Sequence, residues 1–252
     1  VTPSGAFNLR DLEGTPVVGG VIAPGAVLRS DLLHRDNADA ARAWLFDRGF
    51  TKVVDLRTSE ERERDGHLGS DERVETLHRP LLDEVWSWED EHAAEDEWFL
   101  RDRTIDMFER HPDRILDVLR VFAHTDAGVA VHCTAGKDRT GVIAAALLGV
   151  LGAPNEVVVA DYAASKEGLQ RVEYYSAKLE PEQRDPAKFN LLLERGAAPG
   201  TMKGVLDVLQ SRHGTLRQWA FDHDFDPSEL DALTARRVVV AATGIAPRPA
   251  EL

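Results

Sequence analysis

The stretch His132-Cys133-Thr134-Ala135-Gly136-Lys137-Asp138-Arg139-Thr140-Gly141 decides how this chain is read. It places the only cysteine six positions before an arginine. The apolar run Gly128-Val129-Ala130-Val131 leads into it, and residues 140–151, rich in Ala, Leu and Val, follow it. A buried strand, a tight loop and a helix in that order let successive backbone N–H groups turn inward on an anion at the positive end of the helix. Cys133 then sits on the floor of the loop, where a helix N-terminus and neighbouring cations favour a thiolate. Arg139 reaches over the same anion and grips two of its oxygens with its planar fork. A nucleophile beneath a phosphate-shaped cradle implies displacement at phosphorus through a cysteinyl-phosphate intermediate.

On either side of this stretch, short apolar strands alternate with helices. Residues 50–56 form a β-rich run suited to a buried parallel strand, and residues 74–81 carry a weaker one. Residues 38–48 show a helical apolar face, with Gly49 past its end. Thr58-Ser59-Glu60-Glu61 offers a capping box for the next helix. Residues 105–124 are amphipathic, interrupted or restarted near Pro112. Helices are expected over 155–170, 201–210, 215–221 and 228–239. The pattern is α/β, with a mainly parallel central sheet flanked by helices and a helical C-terminal part. A single domain over residues 1–252 is expected. Residues 83–100 hold three of the five tryptophans in an acidic stretch, placed where a helical lid or an ordinary packed surface helix would insert. Residues 174–199 are irregular and suit a second wall of the pocket.

Composition narrows the function. Thirty Lys and Arg against 44 Asp and Glu give a net charge of −14, which argues against nucleic acid and against strong adhesion to anionic membranes. A site for phosphate must then build its positive field locally. One cysteine leaves no internal disulfide and no Cys-rich zinc site, which suits a reducing compartment. No basic apolar leader and no membrane-spanning run is read in the chain. The expectation is a cytoplasmic protein, with signal-independent secretion left open and the oligomeric state unknown. The nine histidines show no ligand spacing, and Asp222-His223-Asp224-Phe225-Asp226 lacks the glycine and terminal glutamate of a calcium loop. No metal or other cofactor is expected.

The loop resembles the signature of the cysteine-dependent protein tyrosine phosphatases: His-Cys, five residues, then Arg followed by Ser or Thr. Lys137-Asp138 narrows the resemblance to the atypical bacterial and fungal subgroup. Asn8-Leu9-Arg10-Asp11-Leu12-Glu13-Gly14 is similar to the subgroup's opening block and departs from it at Glu13. Leu28-Arg29-Ser30, Val54-Asp55-Leu56-Arg57 and Asp161-Tyr162 are similar to later blocks. The resemblance implies a tyrosine phosphatase-like fold and metal-free dephosphorylation of phosphoamino acids, phosphoinositides or both. A phosphatase of a small metabolite phosphate (a sugar, inositol or nucleoside phosphate) is the alternative, and a non-catalytic phosphate-binding module a more distant one. Arsenate reduction would need further cysteines.

Each residue then has an expected role. Cys133 is the nucleophile. Arg139, with Thr134, Ala135, Gly136, Lys137 and Asp138, binds the phosphoryl group and stabilises its equatorial oxygens. Thr140 donates a hydrogen bond to the Cys133 sulfur, helping it leave. His132 orders the loop, and Lys137 projects toward the mouth of the cleft. The general acid stays open. Asp138 on the loop is first, Asp55 at the end of a neighbouring strand second, and Asp83 on the lid third.

Overall fold

The computed structural model describes residues 5–34, 37–84, 98–169 and 197–240. Its main sheet is built from β1 (Arg10–Asp11), β4 (Val27–Ser30), β5 (Phe50–Asp55), β6 (Glu75–His78) and β7 (Gly128–His132). Their order is β1-β4-β7-β5-β6, and every pairing is parallel except that of β1 with β4. The α/β class and the mainly parallel sheet match the sequence reading. Strands β4 and β7 are buried at every position. That explains the apolar run Gly128–Val131 of β7, since both faces of a parallel sheet are covered, while in β4 the same burial encloses Arg29 and Ser30.

Alternate side chains enter different layers, as a strand's period of two requires. Val27, Val54, Val129 and Val131 enter the larger core, whereas Leu28, Val53 and Ala130 pack in a second cluster with Ala41 and Leu45. The latter two lie on α1 (Ala38–Asp47), which Asn37 caps by accepting from the Ala40 N–H. Helix α2 (Ser59–Asp65) starts with the expected capping box between Thr58 and Glu61.

The larger core surrounds α5 (Asp138–Val150), which is buried along almost its whole length. A helix apolar on all sides is a central element. Around it pack α3 (Phe99–Arg110), α4 (Pro112–His124), α6 (Asn155–Ala163) and α9 (Leu216–Asp222). Helices α7 (Ser165–Leu169), α8 (Pro199–His213) and α10 (Pro227–Arg237) complete the described set. Each fully buried Leu, Ile or Phe in this core is worth roughly 1.5–3 kcal/mol.

The break near Pro112 falls where it was expected, and two other boundaries differ from expectation. The amphipathic run near Pro112 is two helices, because Pro112 takes the first position of α4, where its missing N–H costs nothing. The first of them begins at Phe99, so the end of the tryptophan-rich segment is the opening turn of α3. The rest of the lid expectation, residues 85–97, lies outside the described residues, as do residues 174–196 of the second wall. At the other end, Val238–Val239 forms β8 instead of extending α10. It joins β2 (Pro16–Val17) and β3 (Gly20–Ile22) in a small antiparallel sheet. The approach is close: a Cβ on Gly20 would stand 2.0 Å from the Val239 carbonyl oxygen.

Arg237 seals that junction. It is 1% exposed. Its Nε donates to Phe122 O at 2.9 Å, Nη1 to Ala26 O and Ala127 O at 3.1 and 2.9 Å, and Nη2 to Thr125 O. These are carbonyls at the end of α4 and in the turns beside β4 and β7. Burial, then Arg236, lowers its pKa to about 10, which still leaves it charged at neutral pH.

Candidate active site

Strand β7 delivers Cys133 to the carboxyl edge of the sheet, where α/β folds place their sites. Cys133 is 2% exposed. The turn after it depends on Gly136, at φ +67°, a conformation that side chains with a Cβ resist. A Cβ there would also meet Asp31 N at 2.5 Å. Gly136 N–H donates to Cys133 Sγ at 3.2 Å. The loop's carbonyls face the other way. Ala135 O accepts from Asn8 Nδ2 at 3.0 Å, and Gly136 O accepts from Arg29 Nη2 at 2.9 Å. Carbonyls held outward leave N–H groups pointing inward, which makes an anion-binding nest at the start of α5.

Arg139, on the first turn of α5, is held by Glu61. Its Nη2 donates to Oε1 at 2.8 Å and its Nη1 to Oε2. Thr134 Oγ1 donates to the same carboxylate at 2.6 Å. Burial alone would raise the Glu61 pKa, but Arg139 and Thr134 overcome it and hold it down to about 2. Burial likewise works against charge on Arg139, and Glu61 with Cys133 more than offsets it, so Arg139 stays a cation. A guanidinium has five N–H donors in a planar fork. Those that Glu61 does not use can address a tetrahedral oxyanion. No pattern in the sequence marked Glu61 for this task; its visible signal was the capping box alone.

Asp138 heads α5 with its side chain 16% exposed, and Lys137 Nζ lies 3.2 Å from its Oδ1. The buried Tyr162 hydroxyl is 3.5 Å from the same oxygen. Lys137 is only 5% exposed, so it is folded down beside Asp138 and does not reach into solvent at the cleft mouth.

Asp55 is placed differently from what a general acid requires. Its strand does neighbour the loop, with Asp55 in register with His132. Its carboxylate, however, is fully buried and accepts from Arg57 Nε at 3.0 Å and Nη2 at 2.8 Å. Arg62 Nε is 3.4 Å away and His132 Nε2 3.7 Å. Burial favours the protonated form, yet the charges and hydrogen bonds around Asp55 win and keep its pKa well below the usual carboxylate range. An anion in that state has no proton to give a leaving group. The Asp83 side chain is 75% exposed and pairs with Arg114 at 2.7 Å.

His132 is buried, and burial pushes its pKa down. As the carbonyl can only accept, Nδ1–H donates to Cys133 O at 3.2 Å. The expected bond from Thr140 to sulfur is not formed. Thr140 Oγ1 is buried and has no hydrogen-bond partner among the described residues, while the Gly136 N–H serves Sγ. Among the described residues no group of three His, Cys, Asp or Glu is placed to hold a metal ion, and no helix is long and apolar enough to cross a membrane.

Comparison with known proteins agrees with this geometry. A family model described as "Tyrosine phosphatase family" matches residues 1–239. The chain is 31% identical over 196 residues to the triple specificity protein phosphatase PtpB of Mycobacterium tuberculosis, covering 67% of this chain and 70% of that one. It is 40% identical over 73 residues to a tyrosine-protein phosphatase of Nostoc commune, covering 26% of this chain and 25% of that one. Among solved structures, TpbA of P. aeruginosa is similar with a TM-score of 0.28 and 17% identity, covering 72% of this chain and 86% of that one. With a match running from the first residues to β8, over a loop that cradles a cysteine beneath an arginine, the chain belongs to the tyrosine phosphatase family and is a phosphatase acting on phosphorylated substrates.

Proposed function

We propose that this phosphatase hydrolyses aryl and alkyl phosphomonoesters, with phosphotyrosine in proteins as its principal substrate class and phosphoinositides as a second. The observation that carries the reading is the Gly136 N–H on Cys133 Sγ, inside a loop whose arginine is pre-set by Glu61. Such donors cost no reorganisation when charge develops on the equatorial oxygens. Cys133 Sγ attacks phosphorus in line, the S–P bond forming as the ester P–O bond breaks. Asp138 gives its proton to the leaving oxygen. Water then attacks phosphorus, its proton returns to Asp138, the S–P bond breaks and inorganic phosphate departs. Thr140 Oγ1, buried and unpartnered among the described residues, suits stabilisation of the departing thiolate. One domain over the whole chain and a cytoplasmic location, where the thiolate stays reduced, complete the reading.

The test is hydrolysis of p-nitrophenyl phosphate in EDTA, followed by a panel of phosphotyrosine peptides, phosphoserine peptides, phosphoinositides and soluble metabolite phosphates. Cys133→Ser and Arg139→Ala should each lower turnover by about 10³-fold or more. Turnover retained by Cys133→Ser would sink the covalent route. A metabolite phosphate ranking above the peptides in kcat/KM would replace the substrate class.

A further inference from the structure

Two adjacent peptide groups of the loop are tied from outside, and both ties lead to one carboxylate on α6. The Ala135–Gly136 peptide gives its carbonyl to Asn8 Nδ2 at 3.0 Å and its N–H to Cys133 Sγ at 3.2 Å. A planar trans peptide points these groups in opposite directions, so holding the oxygen aims the hydrogen. The Gly136–Lys137 peptide gives its carbonyl to Arg29 Nη2 at 2.9 Å, which turns the Lys137 N–H away from Arg29.

Asp161 stands behind both. Arg29 Nη1 is ion-paired with Asp161 Oδ2. Arg10 Nε donates to Asp161 Oδ1 at 2.9 Å, and Arg10 Nη1 donates to Asn8 Oδ1 at 2.6 Å. One branch therefore runs Asp161–Arg29–Gly136, the other Asp161–Arg10–Asn8–Ala135. Arg29 is fully buried, and its Nε has no hydrogen-bond partner among the described residues. Its place thus depends on Asp161 and on the Gly136 carbonyl. A buried guanidinium that loses its counter-charge moves or drags its surroundings.

We propose that Asp161 is a positioning residue for the nucleophile. Through Arg29 and Arg10 it fixes the two loop peptides whose N–H groups serve the thiolate and the transferred phosphoryl group. This rests on the reading of Cys133 as nucleophile.

The test compares Asp161→Asn, Asp161→Glu and Asn8→Ala in the full chain. It reads kcat and KM on p-nitrophenyl phosphate, the rate of Cys133 alkylation by iodoacetamide at neutral pH with and without tungstate, and Tm. In Asp161→Asn, kcat should fall about 100-fold, the cost of a small misplacement of reacting groups, with a slower alkylation of the folded protein. Asp161→Glu should regain part of both. Asn8→Ala, which cuts one branch, should show a smaller loss of the same kind.

A fall in Tm alone, with kcat and alkylation of the folded protein unchanged, would overturn the proposal. If Asp161→Asn does not fold, Asn8→Ala decides, and unchanged kcat and alkylation there overturn it. Wild-type alkylation that tungstate does not slow would instead sink the nucleophile reading, so the two failures are told apart.

Discussion

Glu61 closes the cap of α2 and holds Arg139 with the same carboxylate. Its Oε2 accepts from Thr58 N–H at 3.0 Å and from Arg139 Nη1, and its Oε1 accepts from Arg139 Nη2 at 2.8 Å. A helix start and a loop arginine are thereby set by one side chain.

Breaking this pair leaves a buried cation without its counter-charge. Glu61→Ala should cost about 3–5 kcal/mol in denaturant unfolding and lower kcat/KM, with Glu61→Gln milder on both counts. The sign of the pH dependence follows from the lowered pKa. The pair's contribution is complete above 4.5, Glu61's ordinary value, and is lost as pH falls through its folded value of about 2. Unfolding free energies from pH 5 down to pH 2 should therefore drop more steeply for the wild type than for Glu61→Gln.

Asp138 and Asp55 should separate by leaving group. Asp138→Asn should slow alkyl phosphates roughly 100-fold more than p-nitrophenyl phosphate, whose leaving group needs little protonation. Asp55→Asn removes the partner of the buried Arg57 and should lower Tm, with the same proportional loss for every ester. A uniform loss at Asp138 would mean that it orders the loop.

Gly136→Ala sets a Cβ against Asp31 N at 2.5 Å while demanding φ near +67°. The backbone conformation alone costs roughly 1–2 kcal/mol, and relief of the contact must shift the loop. We expect kcat/KM on p-nitrophenyl phosphate to fall about 100-fold or more, with tungstate affinity falling too.

Arg237→Ala should do the reverse. Hydrogen bonds to a charged donor are each worth about 1.5–3 kcal/mol, and several buried carbonyls would lose theirs together. Tm should fall steeply, while kcat measured well below the new Tm stays close to wild type.

What could be seen in the sequence was local. The run from Val129 to Gly141 carries its own strand, turn and helix signals, and Thr58 with Glu61 is a cap within four residues. What could not be seen depended on partners far along the chain. Val238–Val239 continues a helical apolar pattern, and only β3, near the start of the chain, makes it a strand. The strand position of Asp55 was legible, but its full burial was not, because Arg62 and His132 close around it only in the folded chain. Likewise Lys137, exposed by its type, is covered by its surroundings.

The ties around the loop also bear on the order in which the molecule assembles. Asn8 reaches Ala135 across 127 residues, Arg29 reaches Gly136 across 107 and Asp161 across 132, and Arg139 reaches Glu61 across 78. Contacts between such distant parts of a chain require large loops to close before they reward folding. Helices α4 and α5 form from neighbours, whereas the nest is finished only when residues from the start, middle and later part of the chain have met. A chain still waiting for Asp161 on the ribosome has synthesised Cys133 and Arg139 but lacks the ion pair that Arg29, bound to the Gly136 carbonyl, makes in the folded protein. The ties around the thiol are thus completed late, after the strand and helix that carry it.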